Sequence, residues 1–299
     1  MRTLISLATA ATLLIAVLPT VAPAQAKSLT HGTEKRRYIV YTPASYAADT
    51  TRKFPVVLNF HGGGMTMAEQ MLYTRMNRTA DAEGFIVVYP QGLQQDWNVG
   101  FGTSYRDGTD DVGFVEALLD QLQRDYRVDG SRVYATGLSR GGFLCQRLAA
   151  ELSHRIAAVA SVGGPLPHPV LDQQKPRGAV FPVGVMLVHG TADRVVAYDG
   201  KPGGYLSAPE SYRYWARRNG APVDGGVARR IDAGRRDGTS ATLRQTAGGT
   251  ASVALVTIHE GGHTWAGADP FNVGLPIGAT ARDVDINAVI WRFLARHRR

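Results

Sequence analysis

Short continuous apolar runs alternate along this chain with stretches whose apolar positions recur every third or fourth residue. The runs in "RRYIVYTP", "FPVVLNFHGGG", "GFIVVYPQG", "RVYATG", "IAAVASVGG", "VGVMLVHG" and "ASVALVTI" read as strands, the first ended by Pro43 and the last closing the series. "IAAVASVGG" and "VGVMLVHG" are apolar without alternation, as parallel strands buried on both faces should be. "DDVGFVEALLDQLQRDYRV" places Val115, Leu118, Leu119, Leu122 and Tyr126 on one helical face, and Asp129-Gly130 then predicts a turn. "FLCQRLAAELS" reads as helix. So does the C-terminal "DINAVIWRFLARH", with Ile286, Val289, Ile290 and Phe293 at helical spacing. Such alternation predicts an α/β fold, a mostly parallel central sheet with helices on both faces. Residues 200–250 are richer in Gly, Arg and polar residues. They read as an insertion near the ligand side, one helix ("APESYRYWARRNG") plus loops. No repeat or low-complexity linker divides the chain.

The N-terminus departs from this pattern. Arg2 precedes an apolar run, Leu4 to Leu18, that is short for a bilayer span. Pro19 and Pro23 break the run, and Ala24-Gln25-Ala26 has the small-x-small pattern of a signal-peptidase site. The expectation is a signal peptide over 1–26 and a single catalytic domain over 27–299, exported to the periplasm or the medium. No membrane anchor is expected after cleavage, and the mature protein is expected to be a monomer. Cys145 is the only cysteine, so no internal disulfide forms and no lipid-bearing cysteine follows the signal. The net charge of +8 suits anionic polymers or simply a basic soluble surface. With no nucleic-acid motif and no basic run interleaved with aromatics, no nucleic-acid partner is expected.

Four short stretches carry chemistry. "ATGLSRGG" is G-x-S-x-G at Gly137, Ser139 and Gly141, preceded by a strand and followed by a helix. In that context a strained turn lifts the serine hydroxyl above the sheet edge, and its neighbours must be small for strand and helix to pack. "NFHGGGM" sets Gly62, Gly63 and Gly64 after a buried strand, where unobstructed N–H groups suit an oxyanion. One donor is expected from Arg140, after the serine, and the other from Gly63, with Gly62 and Gly64 as alternatives. His61 reads as structural. "MLVHGTADRVV" puts Asp193 just beyond a strand, where an acid can orient a histidine; Asp199, Asp224 and Asp232 lie further from any strand. The competing reading of Asp193 is an Asx-turn.

The fourth stretch, "IHEGGHTW", matches H-E-x-x-H through His259, Glu260 and His263. A zinc site of that kind needs a helix, so that both histidines share a face. Here a β-run precedes it and Gly261-Gly262 interrupts it, each glycine costing a helix about 1 kcal/mol. No glutamate follows Glu260, and only Asp269 or Asp283 would remain as a third ligand. The better reading is a loop, flexible at its glycines, that carries His263 to Ser139, with His259 structural at the strand end. No metal or other cofactor is expected.

"HGGG", "YPQG" followed by "DW", "DDVGF", "GLSRGG", "HGTAD", "APES" and "GGHTWAG" occur in the order seen in secreted poly(3-hydroxybutyrate) depolymerase-type and feruloyl-esterase-type α/β-hydrolases, which the chain resembles from "RRYIVYTP" to "IWRFLARH". The resemblance implies an α/β-hydrolase fold and a catalytic triad of Ser139, Asp193 and His263. Three positions depart from the usual pattern. Ala221 stands where N-G-C is common, Ala266 where H-T-W-P-G is common, and Arg140 where a smaller or polar residue is frequent. The expected activity is hydrolysis of feruloyl-, acetyl- or hydroxyalkanoate-type esters, small or polymer-linked, through an acyl-enzyme. A serine peptidase on the same fold and a non-catalytic polymer or carbohydrate binder are the alternatives. Trp97, Phe101 and Trp265, with Tyr105 and Tyr205, either line a pocket or belong to the core.

Overall fold

Seven of the apolar runs lie side by side in one ten-stranded sheet. The computed structural model describes residues 24–223, 226–234, 237–269 and 276–299, so most of the expected signal segment lies outside the described residues. An antiparallel pair, β1 (Gln25–His31) and β2 (Glu34–Tyr41), forms one edge. A short helix α1 (Ser45–Ala48) leads to β3 (Phe54–Phe60). Two helices, α2 (Met67–Thr74) and α3 (Met76–Glu83), precede β4 (Ile86–Pro90). Then α4 (Asp111–Asp125), β5 (Val128–Leu138), α5 (Arg140–Glu151), β6 (Ala158–Val162), α6 (His168–Gln173) and β7 (Gly184–Gly190) alternate. Helix α7 (Ala208–Arg218), strands β8 (Arg229–Arg230), β9 (Ser240–Gln245) and β10 (Val253–His259), and helix α8 (Ile286–Leu294) complete the chain. The strand order is β1-β2-β4-β3-β5-β6-β7-β10-β9-β8, parallel from β4 to β10 and antiparallel at both edges.

The apolar runs lack a polar face because both faces of the sheet are covered. Phe54, Val56, Leu58 and Phe60 of β3 join a core with α4, α5 and α7, whereas Val57 points into the core beneath α2, α3 and α8. The same period of two sorts Ile86 and Val88 from Val87 and Tyr89 in β4.

Three expectations need correction. Helix α4 stops at Asp125, and Tyr126 is extended, with Lys27 over its ring, rather than on the helical face. Asp129-Gly130 is not a free turn, because β5 runs through it. The register against β3 shifts between Phe54 and Val56, so the extra residues form an irregularity inside the strand. The 200–250 region is more than a helix and loops: β9 and β8 extend the sheet there.

Candidate active site

The carboxyl ends of β3, β5, β6, β7 and β10 meet along one edge of the sheet, and each predicted stretch sits there. Ser139 directly follows β5, and its backbone (φ 55°, ψ −117°) lies where side-chain-bearing residues are strained. Its N–H donates to the Val162 carbonyl (2.8 Å), and helix α5 starts at the next residue. A Cβ on Gly141 would collide with the Phe60 carbonyl oxygen, so only glycine lets α5 approach β3 this closely.

Asp193 and His263 are brought together. Oδ2 of Asp193 lies 2.6 Å from His263 Nδ1, and both residues are buried. Oδ1 accepts from the Val195 and Val196 N–H groups (both 2.8 Å), so one oxygen of the carboxylate serves the turn while the other meets His263. Burial opposes the ionised form. Hydrogen bonds from His189 and His263 outweigh it and hold this carboxyl well below the usual range. An ionised Asp193 only accepts, so Nδ1 of His263 carries the proton and Nε2 is left as a base. His189 went unassigned in the sequence, although "VHGTAD" contains it. Its Nε2 donates to the Val196 carbonyl (2.8 Å) and lies 3.4 Å from Asp193 Oδ2. The rival Asp199 is exposed and Asp232 pairs with Arg230; Asp224 lies outside the described residues.

The imidazole of His263 packs against Gly163 at the end of β6, the strand whose Val162 carbonyl holds Ser139. Among the described residues the Ser139 hydroxyl has no hydrogen-bonded partner, His263 included. Contacts of this kind often tighten only with substrate bound.

The H-E-x-x-H stretch is a loop, and its two histidines share no helical face. β10 ends at His259, which is exposed with Nε2 3.1 Å from Thr242 Oγ1 of β9. The loop glycines serve close packing rather than flexibility: a Cβ on Gly262 would strike the Ile277 carbonyl. N–H groups of Gly262, His263 and Gly267 donate to Ala279, Ile277 and Ala281. No group of three or more metal-ligating side chains occurs among the described residues.

The glycine loop is held from below by His61. Gly92 N–H donates to His61 Nε2 (2.9 Å), so Nδ1 carries the proton and donates to the Gly62 carbonyl (2.8 Å). Burial pushes this imidazole down to about 4. Gly64 N–H is committed to the Gln95 carbonyl (2.8 Å), whereas Gly63 and Arg140 N–H have no backbone partner among the described residues. The Arg140 guanidinium bonds Asp96 (2.9 Å) and lies over the Phe101 ring.

Of the aromatic residues considered for a pocket, only Phe101 is partly exposed, packed on Phe143. Trp97 is buried, its indole N–H donating to the His61 carbonyl (2.9 Å). Trp265 is buried likewise. Its backbone N–H donates to the Tyr73 hydroxyl (3.0 Å) and its indole to Asn287 (2.9 Å), which ties the His263 loop to α2 and α8. Tyr105 and Tyr205 are also core residues. The "DDVGF" motif works at a distance. Asp110 caps α4, while buried Asp111 pairs with Arg36 (2.7 Å) and accepts from Asn98 N–H (2.7 Å), fixing the segment after Trp97.

Residues 36–198 match the family described as Esterase PHB depolymerase. The "Putative esterase NocK" of Nocardia uniformis subsp. tsuyamanensis is 33% identical over 253 residues, covering 77% of this chain and 71% of its own. Feruloyl esterase B of Piromyces equi is 28% identical over 243 residues, 76% of this chain but only 42% of that protein. An acetyl xylan esterase structure from Aspergillus awamori superposes with a TM-score of 0.58 at 16% identity, over 80% of this chain and 94% of its own, a likeness of fold. The chain belongs to the PHB-depolymerase esterase family and is a carboxylic ester hydrolase with the α/β-hydrolase fold.

Proposed function

We propose that this chain is an exported serine esterase whose Ser139, His263 and Asp193 act as a triad on feruloyl-, acetyl- or hydroxyalkanoate-type esters. The observation that carries the reading is the buried 2.6 Å Asp193–His263 pair, set on the same sheet edge as the strained Ser139. Ser139 Oγ attacks the ester carbonyl while His263 Nε2 takes its proton. Asp193 holds the imidazole in the right tautomer and stabilises the imidazolium. The oxyanion is met by the N–H groups of Arg140 and Gly63; the engagement of Gly64 with Gln95 leaves Gly62 as the alternative. His263 then protonates the leaving alcohol, and water attacks the acyl-enzyme by the same route.

Likeness to a feruloyl esterase supports an aryl-ester substrate over polyester. Turnover of methyl ferulate, acetylated xylan, p-nitrophenyl butyrate and polyhydroxybutyrate granules should fall on the first three, with Ser139→Ala inactive on all. Granule hydrolysis alone would reverse the preference, and equal turnover by Ser139→Ala would remove the triad. Export rests on the apolar run before Ala24-Gln25-Ala26. N-terminal sequencing of protein from outside the cytoplasm should begin at Lys27, and an intact Met1 there would contradict it.

A further inference from the structure

Beside the acid–base loops, the far edge of the sheet builds a cavity of about 430 Å³. Strand period and register create it. In β9, Ala241 and Leu243 enter the core under α8, so Thr242 and Arg244 face the other way. Opposite them on β10 stand Thr257 and Leu255, with His259 beyond. Pro209, Tyr212 and Arg213, spaced as one face of α7, lie across these side chains. Thr191 and Tyr198, from the segment after β7, close the cavity toward the active site.

The lining has a definite chemistry. Arg213 and Arg244 are exposed, and neither has an ion-pair or hydrogen-bond partner among the described residues. The acid nearest Arg213 on its own helix, Glu210, is engaged by the Ser207 hydroxyl (2.7 Å) and N–H (3.0 Å). Hydroxyls pair along the sheet, Tyr198 with Thr257 and Thr242 with His259 (both 3.1 Å). Leu255, Pro209 and the Tyr212 ring supply apolar faces. Two unpaired guanidinium groups fit one planar carboxylate, and the hydroxyls and apolar faces fit a polyhydroxylated ring. The volume falls within the range of small-ligand sites.

The cavity is joined to the catalytic loops. Thr191 Oγ1 accepts the Glu260 N–H (2.9 Å), and Ala192 N–H donates to the Gly261 carbonyl (2.9 Å), between Asp193 on one loop and His263 on the other. We propose that this cavity binds a carboxylated sugar, a uronate of an acidic glycan, and selects esters carried on such glycans. The selection rests on the Ser139 reading; the binding does not.

Calorimetric titration of the whole chain with D-glucuronate, D-glucose and inorganic phosphate tests it. Glucuronate should bind at least about ten-fold more tightly than glucose or phosphate, and Arg213→Ala/Arg244→Ala should lose at least about ten-fold of that affinity. Both side chains are exposed and unpaired, so the melting temperature should barely change. Equal binding of glucose, equal binding of phosphate, absence of glucuronate binding, or full affinity in the double variant would each overturn the proposal. Turnover that survives Ser139→Ala while glucuronate still binds would instead locate the fault in the triad.

Discussion

The glycine loop after β3 and the loop after β10 flank the same site but are held by different means. Beneath the first lies a buried polar network: His61 between Gly62 and Gly92, Trp97 on the His61 carbonyl, and the Arg36–Asp111 ion pair holding Asn98. The second is laced by backbone hydrogen bonds to residues 277–281 and pinned by Trp265, while its histidine is aimed by one carboxylate. A buried network is costly to leave half-made, so the first side couples site geometry to stability. On the second side a side chain can be removed without stripping the loop of its backbone partners. The two sides should therefore fail differently.

The largest effect is expected on the second side. His263→Ala should lower kcat by roughly 10⁴–10⁶, and its combination with Ser139→Ala should cost little more, because such residues act as a unit. Its melting temperature should fall less than that of the first-side variant Arg36→Met, because Asp193 keeps His189 and the Val195 and Val196 N–H groups; a variant that unfolds would erase the contrast between the two loops. On the first side, Arg36→Met leaves the Asp111 carboxyl, whose pKa burial already pushes up, in the interior without its guanidinium partner. Denaturant unfolding should show a loss of about 3–5 kcal/mol, with activity of the surviving folded fraction reduced far less than in His263→Ala.

Proton linkage separates the loops more finely. Burial holds His61 neutral down to about 4, below its ordinary 6.5, so unfolding takes up a proton between those values. Stability should fall as pH drops from 6.5 towards 4, by about 3 kcal/mol from this residue, and His61→Gln should flatten that slope. His297, also lowered by burial, adds in the same direction. Asp193 has the opposite sign of charge and a depressed pKa. Its contribution is complete above the ordinary carboxyl range and is lost only in stronger acid. An unchanged slope in His61→Gln would mean that the glycine loop is not held by a neutral imidazole. The smallest effect is expected at Glu260, an exposed loop residue. Glu260→Gln should leave turnover and stability unchanged, whereas a zinc protease would lose its general base.

The parallel strands were legible because burial on both faces leaves continuous apolar runs, and Asp193 and His263 because each follows such a run. β9 was not legible. Only Ala241 and Leu243 of "SATLRQ" are apolar, since its other face opens onto the cavity. α2 and α3 went unread because each is short and half polar, although Thr66 and Glu69 spell a capping box at the start of α2. Whether Trp97 and Trp265 line a pocket or fill the core depends on partners distant in the chain, His61 and Asn287, which no local pattern reveals. His189 was hidden for a different reason, since its partner is only four residues away. Its importance comes from a 3.4 Å approach to Asp193 across a turn that the strand pattern leaves unspecified.

The central claim is that Ser139 is the nucleophile and His263 its base. Labelling the intact enzyme with a fluorophosphonate and mapping the adduct by peptide mass spectrometry tests it directly. The adduct should fall on Ser139 alone, be lost in Ser139→Ala, and form far more slowly in His263→Ala. An adduct on another serine, or labelling at an undiminished rate without His263, would contradict it.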